Sequence, residues 1–392
     1  MGFTEISGFI LLLFSVAYGT MILYFTFGLV RIIHENRILT DSGTMPVHSF
    51  RDLVSVIIPV RNESASIIAC LESMIDQDYP AHLIEIIVSD DFSDDDTMEL
   101  ASRFATMHPS CQIIRIVPDG SIPGSVGKKS AISRAVMKAS GSIILTTDAD
   151  TRRSPGWISA IVAEFSENRT QMVLGPVAFA DEEGLLQKIQ SLEFLGLMGT
   201  TAGTAALGKP VMANGANLAY RRNAFVDVGG FTTNSGHASG DDQFFLASVK
   251  KKFGKEAVRF AFNRDAIVTT LAEKSLSGFL QQRIRWVSKS NGYRDPGVVA
   301  VALLTWLTHF VLLSGLVAGC FYPRLLLIAG FLWITKMLAD YPMVRLMSGF
   351  FGKNRILGCY FTAQAFQLFY VVLVGMTGHF VTYRWKGRRI AP

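Results

Sequence analysis

The stretch Gly141-Ser142-Ile143-Ile144-Leu145-Thr146-Thr147-Asp148-Ala149-Asp150-Thr151 decides the reading of the fold, because an apolar run ends there abruptly in two carboxylates one residue apart. A short run of β-branched and apolar residues, bounded by a glycine and a polar cluster, predicts a buried strand of a parallel sheet. Open α/β sheets bind their ligands beyond the carboxyl ends of such strands. Two aspartates with only Ala149 between them repel one another and call for a positive partner. A divalent cation on hard oxygen ligands, its shell completed by a substrate diphosphate, would meet that need. The same letters also fit a plain strand end followed by a helix, since Ser154-Pro155-Gly156-Trp157 has the composition of a helix start.

The residues before this stretch repeat its pattern. Val54-Ser55-Val56-Ile57-Ile58-Pro59-Val60 predicts a strand, and Asn62 is placed to cap a helix through Ile67, Ile68, Leu71 and Met74. A second strand, Ile84-Glu85-Ile86-Ile87-Val88, is closed by the acidic run from Ser89 to Thr97, and a third is Ile113-Ile114-Arg115-Ile116-Val117. With a helix from about Lys128, the alternation predicts a parallel α/β sheet. Residues 59–63, Asp90 and Asp91, and residues 148–150 then emerge at one edge. The acidic run admits two readings: a solvated, helix-capping loop, or a carboxylate that accepts the ring N–H of a uracil. Gly124-Ser125-Val126-Gly127-Lys128-Lys129-Ser130 lacks the spacing of a P-loop. It reads either as a lysine-tipped loop reaching a diphosphate or as a simple helix start.

Beyond Pro155 the regularity loosens. Residues 172–179 are strand-like, residues 185–197 carry an amphipathic helix, and Asn214-Gly215-Ala216-Asn217 is a turn suited to lining a pocket. Asp241 and Asp242 open a helix, where they act either as caps or, in a cleft, as a general base. In Gln281-Gln282-Arg283-Ile284-Arg285-Trp286, cations and amides stand beside an indole just ahead of an apolar segment. That combination suits an interfacial anchor, and it equally suits arginine on phosphate with tryptophan on a sugar face.

Composition sets the wider frame. The 392 residues are 49% hydrophobic, with a mean hydropathy of +0.32, too apolar for an ordinary soluble protein. The four cysteines form no Cys-x-x-Cys pair, which argues against a zinc site or a disulfide scaffold and suits a reducing cytosol. A net charge of +5 suits nucleic acid or an anionic membrane. No nucleic-acid motif accompanies Lys250-Lys251-Lys252 or the basic tail, so the membrane is the simpler partner.

Residues 6–30 carry no charge and would run about 37 Å as a helix, enough to cross a bilayer. Glu5 in place of a basic flank, the length of the run and the lack of a small-x-small site argue against a cleaved signal peptide. Arg31 and Arg37 place the following residues in the cytosol. Residues 298–321 and 359–380 read as further spans, while 325–341 is weakened by Lys336 and Asp340. Two crossings plus a re-entrant or interfacial segment keep Arg384-Trp385-Lys386-Gly387-Arg388-Arg389 inside and are preferred over three.

Taken together, these pieces resemble a membrane-bound family 2 glycosyltransferase of the GT-A fold, similar to processive polysaccharide synthases and lipid glycosyltransferases. The motifs occur in order: Val56-Ile57-Ile58-Pro59-Val60-Arg61-Asn62-Glu63, then Asp90-Asp91-x-Ser93-x-Asp95-x-Thr97, Asp148-x-Asp150, Asp241-Asp242 and Gln282-Arg283-Ile284-Arg285-Trp286. The resemblance implies an α/β fold, a GT-A-type nucleotide-sugar-binding domain with N- and C-terminal transmembrane helices. The boundaries are an N-terminal transmembrane helix (1–31), a connector (32–52), a cytosolic GT-A domain (53–274), an interfacial helix (275–296), C-terminal transmembrane segments (297–381) and a basic tail (382–392). A multi-pass protein of a bacterial inner membrane is implied.

The resemblance also implies roles. Asp90 or Asp91 would hold the uracil, with Pro59, Arg61 and Glu63 in the nucleotide-sugar site, and Lys128 or Lys129 would steady the diphosphate. Asp148 would touch the nucleotide sugar and, with Asp150, hold Mg or Mn. Asp242, beside Asp241, would be the general base, while Gln282, Arg283, Arg285 and Trp286 would bind diphosphate and acceptor. The implied reaction is a single inverting displacement from a UDP-sugar to a membrane lipid or membrane-held glycan. Phe92 departs from the family, which commonly has glycine there, and narrows the base pocket. A processive polysaccharide synthase is the nearest rival, with few spans to support it. A catalytically silent scaffold predicts missing carboxylates, and all are present.

Overall fold

The computed structural model describes residues 2–41, 52–109, 112–116, 127–231, 241–385 and 388–390. In chain order these form α1 (Phe3–Asp41), β1 (Val54–Val60), α2 (Ile67–Ile75), β2 (Ile84–Asp90), α3 (Thr97–Met107), β3 (Gln112–Ile116), α4 (Lys128–Lys138) and β4 (Ile143–Thr146). Next come β5 (Arg152–Arg153), α5 (Trp157–Ala163), β6 (Met172–Leu174), β7 (Val177–Ala180), α6 (Leu185–Ala206), β8 (Leu218–Arg221), α7 (Arg222–Asp227) and α8 (Asp241–Phe253). The chain ends with β9 (Val258–Phe260), β10 (Val268–Leu271), α9 (Leu276–Ser288), α10 (Pro296–Gly319), α11 (Pro323–Phe350), α12 (Tyr360–Thr377), β11 (Tyr383–Trp385) and β12 (Arg388–Ile390). Residues 32–180 and 208–271 make one unit, and residues 1–31, 181–207 and 272–392 make another.

The first unit is built on a seven-stranded sheet of order β3-β2-β1-β4-β8-β6-β9. β1 pairs in parallel with β2 and β4, and β2 with β3, as the strand and helix alternation predicts. β8 then runs antiparallel to β4 and β6. Every residue of β1 and β2 is buried. Val54, Val56, Ile58 and Val60 share a core with Ile67, Leu71 and Met74 of α2 and with Trp157 of α5. The registers Ile57↔Thr146 and Val60↔Asp90 leave residues 59–63, 90–91 and 147–150 at or just past the carboxyl edge. Pro59 lies past the last residue paired with β4, a strand position where a missing N–H is tolerated.

Gly141, which opens the deciding stretch, permits a close approach. A Cβ there would lie 2.6 Å from Ser55 N and 2.8 Å from Leu53 O, both backbone atoms that cannot yield cheaply. Gly141→Ala is therefore expected to destabilise this unit by about 1–3 kcal/mol, read as a lower melting temperature with the full-length protein in detergent.

Several boundaries differ from those expected. Asn62 does not cap α2, which starts after Ser66 without a side-chain cap. Instead Asn62 adopts φ 52°, a conformation asparagine tolerates, and its Oδ1 accepts from Asp94 N at 3.0 Å. The strand expected over 172–179 is two strands in different sheets, because Pro176 cannot donate and Gly175 packs so closely on Asn217 that a Cβ would collide with its amide. β7 joins β10 and β5 in the second sheet. α1 continues to Asp41, so the expected connector begins as helix. Residues 42–51, Val117 and residues 124–126 lie outside the described residues.

The second unit is helical. α6 reaches Ala206 and is not amphipathic: it is buried along its later turns, and Gly203 meets α1 so closely that a Cβ would collide with Phe25 O. Among the described residues, four helical segments are long and apolar enough to cross a membrane: Thr4–Ile38, Pro296–Gly319, Pro323–Phe350 and Asn354–Thr377. The segment weakened by its charges is thus a full-length helix, and Lys336 and Asp340 are buried there as a pair at 2.9 Å.

The lie of α12 follows from its partners. Tyr18 of α1 donates to Asp340 at 3.0 Å and packs its ring on His309, which puts residues 309 and 340 at one level. α12 meets that level at both ends, Gln364 bonding Asp340 and Trp306 bonding Val372 O. The helix therefore lies across the α10–α11 hairpin rather than along it. Gly378 abuts Val287 of α9, and β11 also packs on α9, so the tail shares one end of this unit with α9.

Candidate active site

The site is built where β4 stops. Thr147 N still bonds Ile57 O at 3.1 Å, and the chain then turns, closed by the Thr151 hydroxyl donating to Asp148 O at 2.6 Å. Ala149 points inward and is buried, which leaves Asp148 half-buried and Asp150 exposed on the outer side. Lys128, at the start of α4, forms an ion pair with Asp148. Lys129, its neighbour, is turned elsewhere: its ammonium lies 6.0 Å from the Phe231 ring and 5.9 Å from that of Phe244. Adjacent helical positions point about 100° apart, so only one of the two can face the aspartate turn.

The second carboxylate arrives on α8. Gln243 holds the extended segment before β8 by accepting from Ala213 N at 3.2 Å and donating to Val211 O at 2.6 Å. Lys250 adds a bond to Pro210 O at 2.7 Å, so this lysine of the basic run has an internal task. Asp242 accepts from Gly215 N at 3.0 Å and from Gln243 N at 2.9 Å. A Cβ on Gly215 would lie 3.6 Å from Lys128 Nζ and 3.7 Å from Asp242 Oδ2. Lys128, with its partner Asp148, and Asp242 therefore face one small volume beside Gly215. The side chain of Asp241 lies outside the description.

The β1 and β2 edge forms a third wall. Arg61 Nη1 donates to Asp91 O and Phe92 O, both at 2.6 Å, and so holds the loop after β2. Asp90 is 4% exposed, and its carboxylate accepts from the Ser93 hydroxyl at 2.6 Å and from Ser93 N at 3.1 Å. Asp91 is 2% exposed and accepts from Gly127 N at 2.6 Å, ahead of α4. Asp90 thus shapes the loop after β2, and Asp91 joins that loop to Gly127. Glu63 accepts from the Ser66 hydroxyl at 2.7 Å. Phe92 has φ 60°, in the region glycine favours, which gives a backbone reason for glycine being common there.

Asp95 sits on the same loop. Burial works to raise its pKa, but hydrogen bonds from Thr97 and Ser64 outweigh that and lower it to about 2. A depressed carboxyl contributes stability above its unfolded pKa, about 4, and loses it as pH falls through about 2. Asp95→Asn is expected to remove this part of the acid transition, checked by unfolding the two proteins between pH 5 and 2.

The α9 motif lies in the helical unit. Ser275 caps α9 by accepting from Gly278 N at 3.0 Å. Arg283, expected with Gln282, Arg285 and Trp286 to meet acceptor or diphosphate, has protein partners of its own. It is 3% exposed, its Nη2 lies 2.6 Å from Glu193, and its guanidinium stacks 4.2 Å from the Trp286 ring and 4.5 Å from that of Phe279. It also donates to Gln282, while Tyr370 donates to Glu193. Arg283 ties α9 to α6, and Arg285 and Trp286 remain half-buried on the same helix.

Among the described residues, no three His, Cys, Asp or Glu side chains gather as metal ligands. That does not suit a closed structural zinc site. Asp148 and Asp150 are the carboxylates of the turn that could hold a divalent cation, with substrate phosphates completing its shell.

The architecture is that of a GT-A glycosyltransferase. Among solved structures, the mannosyltransferase PcManGT from Pyrobaculum calidifontis, in complex with GDP-Man and Mn2+, matches with a TM-score of 0.54 and 18% identity over 95% of this chain and 98% of its own. The chain belongs to Glycosyl transferase family 21, whose profile matches residues 9–390. It is similar to an N-acetylglucosaminyltransferase of Rhizobium meliloti (strain 1021), 26% identical over 267 residues, covering 66% of this chain and 59% of that protein. Glycosyltransferase AglE of Haloferax volcanii is 29% identical over 178 residues, 45% of this chain and 55% of its own length.

Proposed function

We propose that the protein is an inverting glycosyltransferase that moves a sugar from a UDP-sugar to a lipid or glycan held at the membrane. The observation that carries this reading is the meeting of Lys128, paired with Asp148, and Asp242 beside Gly215. Asp148 and Asp150 would hold Mg or Mn, which neutralises charge on a departing diphosphate when bound. Lys128 is placed to exchange its aspartate partner for diphosphate oxygen. Asp242, oriented by two backbone N–H groups, accepts the proton of the acceptor hydroxyl as that oxygen bonds to the anomeric carbon and the bond to UDP breaks on the opposite face. Gln282, Arg285 and Trp286 keep the diphosphate and acceptor roles that the resemblance assigns them.

Family membership and the rhizobial relatives, named N-acetylglucosaminyltransferases, support sugar transfer and put N-acetylglucosamine first among the sugars to try. Arg31 and Arg37 after the first span, and the basic tail sharing an end with α9, support a cytosolic catalytic unit with α12 as a segment that does not cross. The test uses full-length protein in detergent with UDP- and GDP-sugars, Mn or Mg, and a membrane lipid extract. Release of UDP with formation of a short glycolipid is expected. Long polymer would make the protein a processive synthase, and no nucleotide release from any donor would refute the reading.

A further inference from the structure

We propose that Thr147, Thr151 and Arg153 are positioning residues that lock the Asp148-Ala149-Asp150 turn to the turn at residues 214–217, against which Asp242 is held. The inference rests on the glycosyltransferase reading above. It starts from polar groups where the core would otherwise be apolar. Thr147 is 0% exposed, Thr151 1% and Arg153 9%. Buried hydroxyls and guanidinium groups are costly unless hydrogen bonds compensate them.

The hydroxyl bonds lead to the two turns. The Thr147 hydroxyl donates to Ala216 O at 2.9 Å, and the Thr151 hydroxyl donates to Asp148 O. The two hydroxyl oxygens are themselves 2.9 Å apart. Two hydroxyl protons thus face three contacts. Arg153 Nη2 donates to both Thr151 Oγ1 and Thr151 O at 2.7 Å, which fixes Thr151 in place. With that donor on its oxygen, the Thr151 hydroxyl is held between Asp148 O and the Thr147 hydroxyl, which in turn reaches Ala216 O.

Arg153 makes no salt bridge among the described residues, and its Nε and Nη1 have no hydrogen-bond partner. Its guanidinium lies 5.2 Å from the Trp157 ring, with Nη2 3.5 Å from Cys70 Sγ. Next door, the Trp157 indole donates to Asn217 at 3.0 Å, which anchors the far end of the second turn. An unpaired buried cation is poor as a stability device. Its bonds to Thr151 give it a positioning task instead.

The two links separate in experiment. Thr147→Val keeps shape but unlinks Ala216 O, so the base shifts against the donor: kcat is expected to fall about tenfold or more, with UDP and Mn affinity unchanged by calorimetry. Thr151→Val and Arg153→Met loosen the aspartate turn itself and should weaken binding of UDP with Mn, read without turnover. Thr147→Ser should restore kcat. Wild-type kcat in Thr147→Val, or equal losses in Thr147→Ser and Thr147→Val, overturns the proposal, as does unchanged binding in both turn variants. Should Thr147→Val not fold, the turn variants decide by binding alone. Full transfer by Asp150→Ala, in contrast, would refute the underlying reading.

Discussion

Replacing Asp242 with asparagine is expected to lower sugar transfer by about 10²–10⁴-fold, the usual contribution of a positioned general base, while donor binding and fold persist. The carboxylate takes one bond from Gly215 N and one from Gln243 N. The two bonds go to different carboxylate oxygens, so asparagine keeps one of them and gives up the other, a small loss beside the ties that remain. The segment before β8 also keeps its ties to Gln243 and Lys250. What asparagine cannot do is take a proton from an acceptor hydroxyl. The measurement is a pair: initial rates of nucleotide release, and UDP affinity by calorimetry. A large fall in the first with an unchanged second is the expected pattern. Unimpaired transfer would remove Asp242 from the reaction.

The sheet was legible because its strands are buried on both faces and read as continuous β-branched runs, and because parallel connectivity forces their carboxyl ends to one edge. That reasoning placed Asp148, Asp150 and the loop after β2 without knowledge of any contact. It could not choose between Lys128 and Lys129, since the choice depends on the rotation of α4. Nor could it separate residues 172–174 from 177–180, although Gly175-Pro176 was the available signal.

What stayed hidden are pairings between residues distant in sequence. Arg283 looks like a phosphate ligand in its motif, and only its ion pair with Glu193, ninety positions earlier, gives it a structural task. Gly215 was legible as part of a turn but not as the floor between Lys128 and Asp242. Thr147 and Thr151 flank the aspartates and pass for ordinary strand-end residues, because hydroxyl bonding leaves no periodic trace.

Removing one member of the Lys336–Asp340 pair is expected to destabilise the helical unit by about 3–5 kcal/mol, as breaking buried ion pairs does. Lys336 is 2% exposed and Asp340 8%, and the network around them joins three helices. Lys336 Nζ donates to Gln364 at 2.6 Å and to Gln367 at 2.9 Å, while Asp340 accepts from Tyr18 at 3.0 Å and from Gln364 at 3.1 Å. α1 and α12 therefore dock on α11 through the same two charges. Lys336→Met leaves a buried carboxylate without its counter-charge, and Asp340→Leu does the same to the ammonium. Each should lower the melting temperature in detergent sharply. The double variant Lys336→Met/Asp340→Leu strands neither charge and should regain most of the loss, because apolar replacement of a whole buried pair is often neutral. Asp340→Asn separates the two contributions: it keeps an acceptor for Tyr18 but leaves Lys336 without its counter-charge. If charge compensation dominates, it melts with the single variants; if hydrogen bonding dominates, it melts near wild type. Wild-type melting in both single variants would mean the pair contributes nothing to holding the helices together.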